Sequence, residues 1–332
     1  MQAGPEDIAL AVERLRAKRL VAFPTETVYG LGAPALDAEA VAGVFRVKGR
    51  PSNNPLIVHV VDEAMARRVC ADWPAHAATL AADFWPGPLT LVVPRSADVP
   101  DVVTAGGPTV AVRSPRHPLT LALLEALGEP LVGPSANRSG GVSPTCADHV
   151  RESFSEDEVF VLDGGPCVGG IESTVVDVSG ERVRVLRPGL ISAEQIAASI
   201  GESVESGGHG GHGGHEGPAR SPGQVGPHYA PRAPARLIEE AELAGALAGL
   251  EPGTSAAVLT RRVDHVTAPH HAIAMPPEGE RYAARLYAAL READATRPAV
   301  VLIVKPWPGG PISGVWSAIA DRLGRATSPR DR

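Results

Sequence analysis

The feature that most constrains this chain is a break. Residues 201–220 read Gly-Glu-Ser-Val-Glu-Ser-Gly-Gly-His-Gly-Gly-His-Gly-Gly-His-Glu-Gly-Pro-Ala-Arg. A stretch this rich in glycine and this poor in apolar side chains buries nothing, so no single core can run through it. The chain must therefore fold as two bodies. We expect a first domain over residues 1–200, a flexible Gly/His-rich linker and closing loop over 201–235, and a small second domain over 236–332, each of ordinary size.

Before the break, short apolar runs alternate with amphipathic segments. Pro5 opens a predicted helix over 5–17, with Ile8, Val12 and Leu15 on one face. Leu20–Phe23 reads as a buried strand, ended by Pro24 and a turn-rich segment. Asp37 suits the N-cap of a helix that stops near Gly49, and Asp62 caps another. Strands are predicted at 55–60, 89–93, 109–113, 131–133, 159–163, 174–178 and 183–186, with helices at 118–127 and 192–199. That alternation implies an α/β sheet with helices packed on it. After the break, helices at 238–249, 280–292 and 315–323 alternate with strands at 256–259 and 299–304, a second and smaller α/β domain.

Composition removes several classes of function. A net charge of -7 argues against a general polyanion-coating protein, although a basic cleft can exist on an acidic chain. The three cysteines, Cys70, Cys146 and Cys167, are scattered, so reduced thiols in a cytoplasm are the default. Glu6, Asp7 and Glu13 interrupt the first residues, so no signal peptide is expected there. No apolar run approaches the ~20 residues of a membrane span.

Three constellations could carry chemistry. The first is Pro24-Thr-Glu-Thr-Val-Tyr-Gly-Leu-Gly32 with Lys48-Gly-Arg50 and Asn53-Asn-Pro-Leu-Ile-Val-His59, a hydroxyl-rich turn after a strand, where α/β sheets place ligands. Lys48 and Arg50 could point at one anion, or simply sit at a solvated helix end. The second is Gly133-Pro-Ser-Ala-Asn-Arg-Ser-Gly-Gly-Val-Ser-Pro-Thr145. It is either a phosphate-holding loop or an ordinary Ser/Gly/Pro turn. No G-x-x-x-x-G-K-[ST] segment occurs, so ATP would not be held by a P-loop. The third is His209, His212 and His215, which could capture metal loosely but lack the spacing of a preformed site. His59 alone reads as readily as a core histidine.

Taken together, these segments resemble the threonylcarbamoyl-adenylate synthase family, the YrdC-like fold in its longer two-domain form. The likeness rests on the Pro24–Gly32 segment, Lys48-x-Arg50, Asn54-Pro-Leu, His59, Pro134-Ser-Ala-Asn137, Ser143-Pro-Thr, Ser173-Thr-Val-Val-Asp177 and Arg187-Pro-Gly189. It continues through Ser221-Pro-Gly, His228-Tyr-Ala-Pro231, Leu286-Tyr-x-x-Leu-Arg291 and Ala318-x-x-Asp-Arg-Leu323. It implies a twisted mixed sheet with flanking helices, followed by a Rossmann-like C-terminal domain. It also implies an enzyme joining L-threonine, bicarbonate or CO2, and ATP into threonylcarbamoyl-AMP and pyrophosphate.

On that resemblance Thr27, His59, Arg113, Gly133 (through its backbone) and Ser173 would hold threonine. Lys48, Arg50, Asn54, Thr109, Ser135, Asn137, Ser143, Arg187 and Tyr229 would contact ATP. No covalent nucleophile is expected, and Mg2+ would ride mainly on the phosphates. The product would pass to an enzyme that transfers the threonylcarbamoyl group to tRNA, with at most a weak tRNA contact. Two rival readings are an RNA-binding module of the same fold, disfavoured by 4% aromatic residues, and a carbamoyltransferase using carbamoyl phosphate.

Overall fold

A proline in the first turn of a helix costs no hydrogen bond, and Pro5 duly opens α1, Pro5–Arg16. This is seen in a computed structural model of the chain, which describes residues 3–206, 229–307 and 312–328. The buried face of α1 is Ala11, Val12 and Leu15. The chain enters β1, Leu20–Phe23, and returns antiparallel as β2, Gly30–Pro34. Sequence reading misses β2 because Gly30-Leu-Gly-Ala-Pro lacks β-branched residues. The glycines are there to pack: a Cβ at Gly30 would lie 2.7 Å from the Phe23 ring, and one at Gly32 would lie 3.0 Å from the Val21 carbonyl oxygen.

Asp37 caps α2, Ala38–Lys48, by accepting from the backbone N–H groups of Glu39 and Ala40. Gly49 ends the helix in the left-handed region at φ 62°. There follow β3 (Ile57–His59), α3 (Glu63–Ala66, capped by Asp62), α4 (Ala75–Phe84), β4 (Leu89–Pro94), α5 (Asp101–Thr104) and β5 (Thr109–Arg113). Then come α6 (Pro118–Leu127), β6 (Leu131–Val132), α7 (Ala147–Arg151), β7 (Val159–Val161), β8 (Thr174–Asp177), β9 (Arg184–Arg187), α8 (Ala193–Ile200) and β10 (Glu205–Ser206).

The ten strands form one mixed sheet in the order β10-β9-β8-β4-β5-β3-β6-β2-β1-β7. On one face α2, α4 and α8 cover Leu31, Val58, Leu91, Val112 and Val176; α1 and α6 cover Val21, Phe23 and Leu131. Strand alternation then fixes what faces the other way. On β3, Val58 enters the core while Ile57 and His59 turn to the opposite face; on β5, Val110 and Val112 do so while Thr109, Ala111 and Arg113 turn away.

The second domain has β11 (Ala235–Ile238), α9 (Leu243–Ala248), β12 (Ala256–Thr260), β13 (His271–Ala274), α10 (Gly279–Ala295), β14 (Val300–Val304) and α11 (Val315–Ala326). Its four strands are all parallel, in the order β11-β14-β12-β13. Helices α10 and α11 cover one face and α9 the other, so β14 is apolar along its whole length and β12 is apolar up to its last residue, Thr260. The apolar cluster under α10 continues into Val28, Val142 and Ile171 of the first domain. Gly170 permits this close approach: a Cβ there would fall 2.4 Å from the Cα of Ala284 on α10.

Two elements differ from the sequence reading. The first sheet takes up a strand beyond residue 200, because Glu205–Ser206 pairs with β9 and Glu205 takes ion pairs from Arg182 and Arg184. The helix predicted over 238–249 is split into the end of β11, a single 3-10 turn at Glu240–Glu242 and α9, because Ile238 is drawn into the sheet. His209, His212, His215, Ser221-Pro-Gly and His228 lie outside the described residues. Among the described residues no helix is long and apolar enough to cross a membrane.

Candidate active site

The polar turn between β1 and β2 is organised by Thr25. Its hydroxyl accepts from the backbone N–H groups of Thr27 and Val28 at 3.1 Å and donates to the Val28 carbonyl at 2.6 Å. That fixes Thr27 against Arg113, whose Nη1 donates to the Thr27 hydroxyl at 2.9 Å while Nε donates to the Gly87 carbonyl at 3.1 Å. Behind them Glu26 Oε2 forms a buried ion pair with Arg113 Nη2 at 2.8 Å. Nη2 makes no hydrogen bond of good angle among the described residues, so it keeps donor capacity for a carboxylate.

His59 lies beside this pair, buried, its ring edge-on to Phe23 at 5.2 Å. Burial, and then the charge of Arg113, holds its pKa well below the usual histidine value, so the ring is neutral at physiological pH. Nδ1 has no partner among the described residues. Gly133 makes room for the ring: a Cβ there would come within 2.6 Å of His59 Nδ1.

These groups line one pocket with Arg50, Ser135, Ser173, Arg187 and Tyr229. Arg50 is anchored through Nε to the Asn54 carbonyl at 3.1 Å and through Nη2 to the Pro55 carbonyl at 2.9 Å. Burial pushes its pKa down to about 10, and the neighbouring Arg187 pushes the same way. Arg187 donates from Nε and Nη2 to the Ser173 carbonyl, and Ser173 Oγ lies 2.7 Å from Thr90 Oγ1.

The other sequence candidates stand behind the pocket or at its edge. Lys48 is buried and donates to the carbonyls of Ser135 and Asn137, both at 2.5 Å, tying the end of α2 to the 134–137 loop. The left-handed Gly49 separates it from Arg50, which lines the pocket where Lys48 does not. Asn137 donates from Nδ2 to the Arg138 and Gly141 carbonyls and so shapes the same loop. Asn54 is buried, Thr109 opens β5, and Ser143 donates to Glu172 Oε1 at 2.7 Å. None of these five lines the pocket.

Thr25, Val28, Gly30, Ile57 and Pro134 also line it and lie in the sequence constellations without an assigned role, whereas Glu172, another lining residue, was missed altogether. A carboxylate directly before the candidate Ser173 was the available signal. Its partners come from the second domain: Tyr287 donates to Oε2 at 2.8 Å and Arg322 Nε to the same oxygen at 3.0 Å. Burial alone would raise the Glu172 pKa. The charges of Arg322 and Arg187, with hydrogen bonds from Ser143 and Tyr287, outweigh it and hold the carboxyl ionised. Tyr229 closes the assembly. Its ring stacks on Tyr287 at 5.5 Å, Arg322 lies over it at 5.6 Å, and its backbone sits at φ 64°.

Comparison with known proteins identifies the family. Residues 13–189 match the family described as Telomere recombination, and residues 191–328 match the Threonylcarbamoyl-AMP synthase, C-terminal domain. The chain is 40% identical to the threonylcarbamoyl-AMP synthase of Bacillus subtilis, across 99% of this chain and 95% of that one. It is 44% identical to that of Pyrococcus abyssi across 70% of this chain and 68% of the other. The fold superposes on the crystal structure of P. abyssi Sua5 complexed with L-threonine with a TM-score of 0.87 and 38% identity, covering 96% and 94% of the two chains. The chain belongs to the threonylcarbamoyl-AMP synthase family.

Proposed function

We propose that this chain condenses L-threonine, bicarbonate or CO2, and ATP into threonylcarbamoyl-AMP and pyrophosphate. The observation that carries the reading is the meeting of two guanidinium groups, Arg50 and Arg187, in one buried pocket with Arg113, Thr27, His59 and Ser173. Two guanidinium groups that line one buried pocket suit a polyanion, and a polyphosphate supplies it. Arg113 Nη2 offers the threonine carboxylate a donor, and Thr27, Ser173 and the Gly133 backbone hold the rest of the amino acid. A neutral His59 next to the carboxylate site leaves the threonine amine free of a competing cation.

The chemistry then needs no enzyme nucleophile. The amine captures CO2 as a carbamate, and a carbamate oxygen attacks the α-phosphorus. Pyrophosphate leaves, and its charge is stabilised by the arginines. Mg2+ would arrive with the phosphates of ATP as substrate, since it keeps several waters and rarely needs a cage of protein ligands.

With Tyr229 seated, the pocket's free volume is about 60 Å3, below the ~300 Å3 where pockets for drug-sized ligands begin. ATP therefore enters when the Tyr229 segment withdraws, and the segment's return excludes water from a hydrolysable acyl-adenylate. The product would pass to the enzyme that modifies tRNA.

The test is pyrophosphate release from ATP by the full chain. It should require both threonine and bicarbonate, with serine a poorer substrate by about 1–3 kcal/mol for one methyl. Turnover that ignores bicarbonate, or that runs on carbamoyl phosphate, would overturn the assignment. RNA binding with no turnover at all would favour the non-enzymatic alternative.

A further inference from the structure

The second domain has a cavity that shares no residue with the pocket above. It lies between the carboxyl ends of β12 and β14, where Thr260 ends one strand and Arg261 follows it, and Lys305 and Pro306 follow the other. These strands are neighbours in the sheet, yet the chain leaves them in opposite directions: β12 leads to β13 on one side, and β14 leads to α11, which packs by β11 on the other. In open parallel α/β sheets, a crevice at such a divergence is where ligands bind. Its volume is about 230 Å3, far above the ~10–15 Å3 that admits one water.

One wall of the cavity holds a polar group with nothing to do. Tyr282 on α10 is 1% exposed, and its hydroxyl has no hydrogen-bond partner among the described residues. Buried hydroxyls are almost always satisfied, so an orphan on a residue of the cavity wall marks the place of an absent acceptor or donor. The surroundings say which. Arg261 is held in place by the carbonyls of Pro277 and Pro306 and by the Trp316 ring, and its charge acts on the Tyr282 hydroxyl. Arg262, at the exposed mouth, makes no ion pair among the described residues. Lys305 is balanced by Glu239, and Glu240 shares a hydrogen bond with His265. The balance on the wall is positive, and the remainder of the lining is apolar.

We propose that this cavity is a second binding site, for a small metabolite bearing an oxyanion. The anionic group accepts from the Tyr282 hydroxyl and from Arg262, and the body lies on the apolar wall. Nothing in the proposed synthase chemistry uses these residues, so the site stands independently of that reading.

The chain has four tyrosines, at positions 29, 229, 282 and 287, which makes fluorine NMR of 3-fluorotyrosine-labelled protein a direct readout. The Tyr282 line is assigned by its loss in Tyr282→Phe, and the Tyr229 line reports the first pocket in the same spectrum. The full chain is titrated with inorganic phosphate, AMP and succinate, which separate a bare phosphate, a nucleotide and a carboxylate. The expected result is a saturable shift of the Tyr282 line with at least one of them, weakened about tenfold in Arg262→Ala. A Tyr282 line that stays fixed with all three overturns the proposal, and so does one that shifts with unchanged affinity in Arg262→Ala.

Discussion

Glu172 Oε2 lies 3.0 Å from Arg322 Nε, an ion pair between the two domains whose arginine is fully buried and whose carboxylate lines the candidate active site. The bond runs over 150 residues of sequence and couples the pocket wall to α11. Through Oε1 the same carboxylate fixes Ser143, and through Oε2 it meets Tyr287, on which Tyr229 stacks. The second domain is thus part of the pocket's frame.

Removing one partner of a buried pair leaves the other charge uncompensated, at a cost of about 3–5 kcal/mol. Glu172→Gln should therefore destabilise the full chain by that order in urea unfolding. Glu172→Gln combined with Arg322→Met should recover part of the loss. Singles and double that all fall within ~1 kcal/mol of wild type would show that the pair contributes nothing across the interface.

Arg50 and Lys48 should separate cleanly. Arg50→Ala should lower kcat/KM by about 2–4 kcal/mol, thirty- to a thousandfold, with stability nearly kept. Lys48→Met should instead lower stability, because the Ser135 and Asn137 carbonyls lose their donor, at about 1–3 kcal/mol for each group left buried and unpaired. Equal kinetic effects with equal stabilities would restore the reading in which both cations hold phosphate directly.

His59 makes stability depend on pH. Its folded pKa is depressed, so below the unfolded value of about 6.5 the unfolded chain binds the extra proton. The contribution is fully present above pH ~6.5 and is lost as pH falls, by up to ~1.4 kcal/mol per pH unit. His117 and His149 are shifted the same way and steepen the wild-type curve. The check is urea unfolding at pH 7.5, 6.5 and 5.5 for wild type and His59→Asn. The variant should lose close to one proton's worth of slope, and parallel curves would mean His59 titrates normally.

Tyr229→Ala should raise the KM for ATP and shorten the lifetime of the adenylate, since the ring and its stack on Tyr287 would no longer close the pocket. Shortening the 207–215 stretch by a few residues should change little if it is only a tether. Turnover and product lifetime for both variants decide the matter. An inactive shortened chain beside an unaffected Tyr229→Ala would place the closing element in the tract.

Much of the site was legible because its placement is local. Strand alternation alone puts Thr109, Ala111 and Arg113 on one face of β5 and His59 opposite Val58 on β3. Asp37 and Gly49 bound α2 by capping chemistry that any reader of the sequence can apply. The break at the Gly/His tract sets the two-domain plan, although β10 carries the first sheet a few residues into it. Other features depended on distance in sequence. β2 could not be seen because its glycines are chosen by the Phe23 ring, and the hold of Lys48 on the 134–137 loop could not be seen because the loop lies some ninety residues on. Tyr287 and Arg322 were motif residues without a role until the second domain packed against Glu172. Periods, caps and turns are written in neighbouring residues, so the sequence determined them by itself. Which buried charge finds which partner is decided only when the chain has closed on itself, because desolvation leaves each charge stable only against the group that the fold brings to it.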